Sequence, residues 1–574
     1  MTRTPVEIDA QLARLGLIPR ADGTMPQTKF DSALVQGVCQ FIDDTGIVEQ
    51  VAAWRREDRI DRKPGGRPAF YDDRQMLVLT QLLLRCGEAP QIVEIARTIG
   101  YRLTADSRER LGLPPTNGRA SEVAIYHRVR NALDRCTSVF DPAPGRASSP
   151  RPARTRVEQI KAARDPEQCE RSRLRAHWVA NQLLEGTLAL VPDAVLGRWT
   201  GNLTLDATVV PIFGGGSPTK NPKPDDSMSP EFDGGYHPNH DGSKTWGYDL
   251  HIAMMGQNHY DRPADFPLLA AAISLDEPSR RVAENAIACL SSIRDRGHPA
   301  ALLITDMGYF ANQKAEKFHL PARALGYGLV GDYKKGFTGI QATHKGVITV
   351  DGGRYCPSMP APLVTATADF REGRISEEVY AKRIAQRVAH RFRAKDGVAH
   401  VCPAQGSSPT ASCSLRPRPD PLTSAENRTT LTLIVDPPED PPPCCTNRSS
   451  VSLPIEYDAK FFQALPYASE EWRRTYRLLR STMEGFNGYT KEGKHEALAA
   501  KTNRRRRGFV NNLLVVAMTV AATNLRKIAS FFKAQTPPPE DNPAPKRRGR
   551  RDPLAIHRPD PHAPPRTMPG AAAA

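Results

Sequence analysis

Two short apolar runs in this sequence each carry an aspartate: Leu203-Thr-Leu-Asp206-Ala-Thr-Val-Val210 and Ala301-Leu-Leu-Ile-Thr-Asp306-Met-Gly-Tyr-Phe310. Runs of this length, rich in Leu, Ile and Val, read as strands of the sort buried inside an α/β sheet. An unpaired charge there costs roughly several kcal/mol unless a cation or hydrogen bonds compensate it. A third acid, Glu484, stands in the helix-like stretch Arg480-Ser-Thr-Met-Glu484-Gly-Phe-Asn-Gly-Tyr-Thr-Lys491. A divalent metal would compensate all three. Each acid also has a plain alternative: Asp206 as a turn cap, Asp306 as the N-cap of a segment beginning at Met307, and Glu484 as an exposed helix residue four places after Arg480.

The chain around these runs divides by pattern. From about Phe30 to Cys136 apolar residues recur at three- and four-residue steps, which predicts an all-α domain over 1–140. Within it, Ile92–Tyr101 and Ala120–Arg130 read either as a helix-turn-helix, with Arg119, Arg128, Arg130 and Arg135 toward DNA, or as part of a bundle that merely packs. Residues 141–156 have the Pro/Ser/Arg composition of a linker. From 157 to 345 a helical stretch leads into strands at 202–213, 246–255 and 268–275, a helix at 279–294, and strands at 301–305 and 326–333. That order predicts an α/β layer architecture. Regularity breaks down over 346–465, which is expected to be an inserted subdomain, and helical character resumes over 466–535. Residues 536–574, with Lys546–Arg551, read as a disordered basic tail.

A formal charge of +16 and a pI near 9.4 favour a polyanionic partner, of which nucleic acid is the commonest. A membrane surface is the rival, but the best apolar stretch, Leu513–Ala522, is short and reads as a buried helix. The first residues lack the apolar core of a secretory signal, so a soluble cytoplasmic protein is expected. Four arginines, Arg504, Arg505, Arg506 and Arg507, precede that apolar helix and read as a phosphate-contacting face, or as a solvated charge run. Five of the ten cysteines fall between Cys356 and Cys445. Their spacing departs from the short CxxC pairs of zinc sites, so unligated thiols are the simpler reading. The alternative is a structural Zn2+ held by Cys402, Cys413, Cys444 or Cys445 with Cys356 or His400 assisting.

Three motifs together resemble those of the DDE transposases of bacterial insertion sequences. Leu205-Asp206-Ala-Thr208 is similar to their first-aspartate motif, and Thr305-Asp306-Met-Gly308-Tyr309-Phe310 to the second. Arg480-x3-Glu484-x6-Lys491 resembles the signature that sets Tyr, Arg, Glu and Lys on one helix. The tyrosine is displaced: position 477 holds Arg477, and Tyr476 stands four before Arg480, which makes it a supporting candidate only. The resemblance implies an RNase H-like mixed sheet flanked by helices, with the third acid returning after the insertion. It also implies that two Mg2+ or Mn2+ ions are held by Asp206, Asp306 and Glu484, and that Arg480 and Lys491 grip phosphates. Water would attack the phosphodiester at the element end, and the freed 3′ hydroxyl would then attack target DNA. The implied partners are double-stranded element ends and target DNA in the nucleoid, with a homodimer bringing two ends together. An RNase H-like nuclease without strand transfer, or a decayed copy that only binds DNA, are the alternatives. Asp249 is the substitute acid should Asp206 fail, whereas Asp332 reads as a turn or surface residue and His251 as structural.

Overall fold

The computed structural model describes residues 29–58, 69–114, 122–147, 149–218, 222–239, 241–396, 398–416, 431–493 and 495–535. The chain up to Ile528 forms one compact unit and the part from Ala529 a second. Arg119 and the Lys546–Arg551 cluster lie outside the described residues.

At the centre is a six-stranded mixed sheet. Strand β1 (Leu203–Pro211) pairs antiparallel with β3 (Lys244–Met255), and β3 pairs antiparallel with both β2 (Gly235–Pro238) and β4 (Ala270–Asp276). On the other side of β1, β5 (Leu302–Thr305) and then β6 (Gly328–Val330) run parallel to it. The long path is therefore β4-β3-β1-β5-β6, with β2 short and set against the opening residues of β3. The mixed α/β class expected from the order of the runs is what the chain adopts.

Register decides what each face meets. Asp206 stands opposite Ile252, Thr208 opposite Leu250 and Val210 opposite Tyr248, so these residues share one face. Leu203 and Leu205, opposite Met255 and Ala253, point the other way, toward helix Val282–Asp295. The Asp206 face packs on helices. Ile252 and Val210 join one continuous apolar cluster with Met483, Phe486, Val516 and Val520, and also with Leu82 and Val129 from the N-terminal region.

That shared cluster explains how the N-terminal helices sit. Helices α1 (Ser32–Asp44), α2 (Ile47–Glu57), α3 (Asp73–Arg85) and α4 (Glu122–Ser138) have no separate core; their apolar faces close against the long helices that back the sheet. The linker-like segment therefore marks no break in the core. Pro152 O accepts from Met228 N at 2.8 Å, Arg146 pairs with Asp134 at 3.1 Å, and a helix begins already at Arg154. The two-helix expectation also changes. The Ile92–Arg97 helix continues as a wider turn to Arg102, and a further helix, Ala105–Arg110, intervenes before α4. Arg135 faces inward, donating to Tyr71 O at 2.7 Å beside Asp73, and is not a free DNA contact.

Two long helices cover the β4 edge. In α5 (Pro166–Leu188), Asn181 accepts from Ile273 N at 2.8 Å and donates to Ile273 O at 3.1 Å. Asn524, a little past the middle of the Phe509–Gln535 helix, does the same to Ala270 at 2.9 Å in each direction. An edge strand exposes unpaired backbone groups, and two buried amides here replace the missing neighbour. The Phe509–Gln535 helix is long and apolar enough to cross a membrane by length and composition, yet it is mostly buried in the protein and buries Asn511, Asn512, Thr519, Thr523 and Asn524.

The expected insertion is not wholly irregular, and the first strand of its small sheet already starts at Ile340. It holds a sheet of β7 (Ile340–His344), β8 (Val347–Val350) and β9 (Gly353–Tyr355). A second joins β10 (Arg393–Asp396) and β11 (Ala399–Val401) to a strand at Val451–Ser452, and a two-stranded pair links Ala411–Ser412 with Thr432–Leu433. A buried pair, Arg354 to both oxygens of Asp458 at 2.8 Å, ties its start to its end. The chain rejoins the central sheet where Ala464 N donates to Leu329 O at 2.9 Å.

Candidate active site

The parallel pairing of Leu205 with Thr305 sets the next residues, Asp206 and Asp306, side by side where β5 ends. The register, rather than any local motif, makes them neighbours. Asp206 Oδ1 accepts from Ala207 N at 2.9 Å. Burial raises the Asp206 pKa; the Arg480 guanidinium opposes the shift and the Asp306 charge adds to it. Two carboxylates facing each other in a half-dry setting need positive charge.

Asp306 is held by the turn that follows it. Its backbone oxygen accepts from Phe310 N at 3.0 Å and its Oδ1 from Tyr309 N at 3.3 Å. The capping role offered as the plain alternative is thus present, and it still leaves Oδ2 without a local partner of this kind. A Cβ at Gly308 would stand 3.0 Å from Asp306 Oδ1, so a side chain there would crowd this carboxylate. The Tyr309 hydroxyl contacts His251 Nδ1 on β3 at 2.6 Å, anchoring the turn to the sheet. Burial lowers the His251 pKa to about 4, so the ring is neutral and positions the loop.

Helix α7 (Glu470–Lys491; the short helices of the 282–446 region and the earlier α5 and α6, Val282–Asp295, precede it) brings the third group. Ser469 caps it by accepting from Trp472 N, Glu470 and Glu471 suit its first turn, and it runs unbroken through Gly485 and Gly488. Trp472, Thr475, Leu479, Met483, Phe486 and Thr490 form its buried stripe, at helical spacing. Tyr476, Arg480 and Glu484 run along the flank of that stripe at four-residue steps. Leu479 sets the depth of docking, because a Cβ on Gly256 would lie 2.2 Å from its Cδ2. Gly256→Ala is therefore expected to lift α7 from the sheet, cost about 1–3 kcal/mol in thermal unfolding, and weaken any activity that needs Arg480.

Arg480 is the centre of the arrangement. Its Nη1 lies 3.3 Å from Asp206 Oδ2 and its Nη2 4.0 Å from Glu484 Oε1. Nη1 is buried and makes no aligned hydrogen bond. Burial works against the guanidinium charge, but Asp206 and Asp306 outweigh it and hold the pKa above its ordinary value. Glu484, with its side chain 69% exposed, reaches the arginine and not the aspartates. Lys491 is lowered by burial and drawn back up by Asp206, so the helix end still senses the site. The displaced Tyr476 stacks on Trp472 at 4.7 Å and is pushed up to about 12 by burial, with Arg480 opposing and Asp332, Asp306 and Asp206 adding. It therefore stands within the field of all three aspartates.

Among the described residues, no group of three or more His, Cys, Asp or Glu side chains is closed around an ion position. The two aspartates are the part of the expected set that fits a hard cation: oxygen-only donors, adjacent, and short of positive charge. Asp249 lies on the opposite face, bonded to His237 Nδ1 at 2.7 Å and Ser279 N at 3.1 Å, and does not substitute for Asp206. Asp332, just beyond β6, accepts from the Tyr467 hydroxyl at 2.6 Å and Arg371 at 2.9 Å. Sequence reading missed this Tyr467–Asp332–Arg371 brace, since its members are far apart in the chain.

The arginine run is split. Arg504 is buried and donates to Pro211 O at 2.7 Å and Leu498 O at 2.8 Å, with its pKa lowered by burial to about 10. Arg506 is spent on Asp134 at 2.9 Å. Arg505 is exposed, over the Phe213 ring at 5.2 Å, and Arg507 is partly exposed. The four arginines therefore do not form a single phosphate face: two point outward, while Arg504 compensates buried carbonyls and Arg506 pairs with Asp134 of α4.

Comparison with protein-family models, curated proteins and solved structures returned no match.

Proposed function

We propose that this protein is a DDE-type DNA transposase of RNase H-like fold, cutting and joining DNA at Asp206, Asp306 and Glu484. The observation that carries this reading is the pair of aspartates at the ends of two parallel neighbours, on the face crossed by the helix bearing Arg480 and Glu484. The strand order supports it: three antiparallel strands, then two parallel ones added on the other side of the first. The net charge supports a DNA partner.

Asp206 and Asp306 would hold Mg2+ or Mn2+, with Glu484 joining by side-chain rotation. Two such ions would supply charge neutralisation at the attacking and leaving oxygens of an in-line displacement. The chain itself does the rest. Ala207 N orients the Asp206 carboxylate, and the Asp306 turn, locked through Tyr309 and His251, fixes the second. Arg480, whose Nη1 has no aligned partner, can turn from Asp206 to a phosphate oxygen. Lys491 adds a second positive charge on the same helix.

The test is joining of labelled DNA ends, taken from the sequence flanking the coding region, to a target in magnesium. Joined product supports the transposase; hydrolysis alone favours a nuclease. The exposed position of Glu484, away from the aspartates, favours as second reading a DNA-binding protein that neither cuts nor joins. For DNA contact, Arg505→Ala is expected to weaken binding uniformly across sequences and to reduce the log–log salt slope by about 1. Arg504→Ala should instead lower thermal stability and leave that slope unchanged, as checked by binding titrations at several salt concentrations.

A further inference from the structure

We propose that the insertion holds one structural zinc ion through Cys356, Cys402, Cys413 and Cys445, which come from four separate segments that meet in one small core. Cys356 and Cys445 are distant in sequence from the Cys402 and Cys413 pair, yet Cys356, Cys402 and Cys444 are core members of a single apolar cluster against which Cys413 and Cys445 pack. All five are free thiols.

Three of the four proposed ligands share a backbone geometry. Cys356, Cys402 and Cys413 each open a tight turn closed by the N–H three residues on: Met359 to Cys356 O, Gln405 to Cys402 O and Arg416 to Cys413 O, each at 3.0 Å. Burial raises the Cys356 and Cys402 thiols, and in each turn a backbone N–H two residues on, that of Ser358 and that of Ala404, opposes the rise. Zinc takes the thiolate, so its charge would replace what burial withholds.

The fourth ligand is chosen by packing. Cys444 is fully buried, and its sulfur lies 2.9 Å from where a Gly346 Cβ would stand, so it is a packing residue. Cys445, its neighbour with the sulfurs 3.8 Å apart, is only partly buried, and its side chain has room to turn. Arg416 faces both Cys402 and Cys445 and offsets part of the thiolate charge. His400 is excluded as a ligand: Nδ1 is engaged by Val398 O at 3.0 Å and Nε2 by Arg354 at 2.8 Å. The sulfurs are not already closed around one point, so the ion must draw short side chains inward by rotation.

The physical need is plain. The strands of this segment have two to five residues, and its apolar cluster is small. Segments with so little core are commonly secured by a metal whose binding energy becomes folding energy. Tetrahedral thiolate coordination by four cysteines is the standard closed structural site.

The test uses the full chain purified under reducing conditions. About one zinc per chain is expected by elemental analysis in the parent and in Cys444→Ser, and loss of zinc in the Cys402→Ser, Cys445→Ser double variant. Cobalt(II) titration of the unaltered protein needs no variant and should give the intense d–d bands of tetrahedral thiolate coordination, displaced by zinc. A parent that binds neither ion at equimolar concentration, a double variant that keeps its zinc, or a disulfide among these cysteines in the native protein would each overturn the proposal.

Discussion

Asp206→Asn is expected to abolish DNA joining while leaving the fold at least as stable as the parent. The substitution keeps size and the hydrogen bond from Ala207 N but removes the charge that a cation and the site chemistry need. Loss of one preorganised charged group typically costs on the order of 10³-fold in rate. Stability should move the other way. Burial raises the Asp206 pKa in the folded chain, with Asp306 adding and Arg480 opposing. A carboxyl so raised contributes stability at low pH that is lost as pH climbs through its folded pKa, and a neutral side chain escapes that loss. The measurement pairs a joining assay with thermal unfolding at neutral pH. Residual joining near the parent rate would remove Asp206 from the site; lost joining with a collapsed melting temperature would leave a structural explanation standing.

The second large effect lies away from the acids. Glu231 is buried, and both its oxygens accept from Gly508 N, at 3.0 and 3.1 Å, at the start of α8, the Phe509–Gln535 helix. Burial lifts its pKa from 4.5 to about 7; the Gly508 bond opposes the shift, Asp233 adds to it, and Arg146 and Arg507 oppose it. A carboxylate suits a helix N-terminus, but desolvation outweighs that benefit here. The unfolded chain loses this proton first. Glu231 therefore stabilises fully below about pH 4.5, and its contribution fades as pH rises through about 7, a loss of roughly 3 kcal/mol. Glu231→Gln keeps an acceptor for Gly508 without the charge. It should melt several degrees above the parent at pH 8, with the gap closing by pH 5. Parallel pH–stability curves for the two proteins would show that Glu231 does not titrate in this window.

How much of this was legible in the chain varies by element. Strands β1 and β5 were readable because apolar, β-branched residues have one physical use at that length. Helix α7 is readable from its spacing, although it contains Gly485 and Gly488, which weaken a helix. The stripe from Trp472 to Thr490 explains why it persists: six buried side chains outweigh two glycines. The arginine run was only half legible. Charge alone does not say that Arg504 will turn inward to Pro211 O, since that carbonyl is brought close only by the end of β1. The N-terminal helices were visible as helices, but not as part of the same core as the sheet. Their periodicity shows which face is apolar and not what that face will meet.

Local features are written along the chain: which segments are strands or helices, which carboxylates interrupt apolar runs, and that Arg480 and Glu484 share a helix face. Adjacency comes from packing. Asp206 and Asp306 are neighbours because parallel pairing sets Leu205 against Thr305, and Asp249 is excluded because it falls on the other face of the sheet. The same holds for the four cysteines and for Glu231 under α8. Backbone periodicity is set by neighbours a few residues apart, whereas a site is made by chain segments a hundred residues apart, and only packing brings those together.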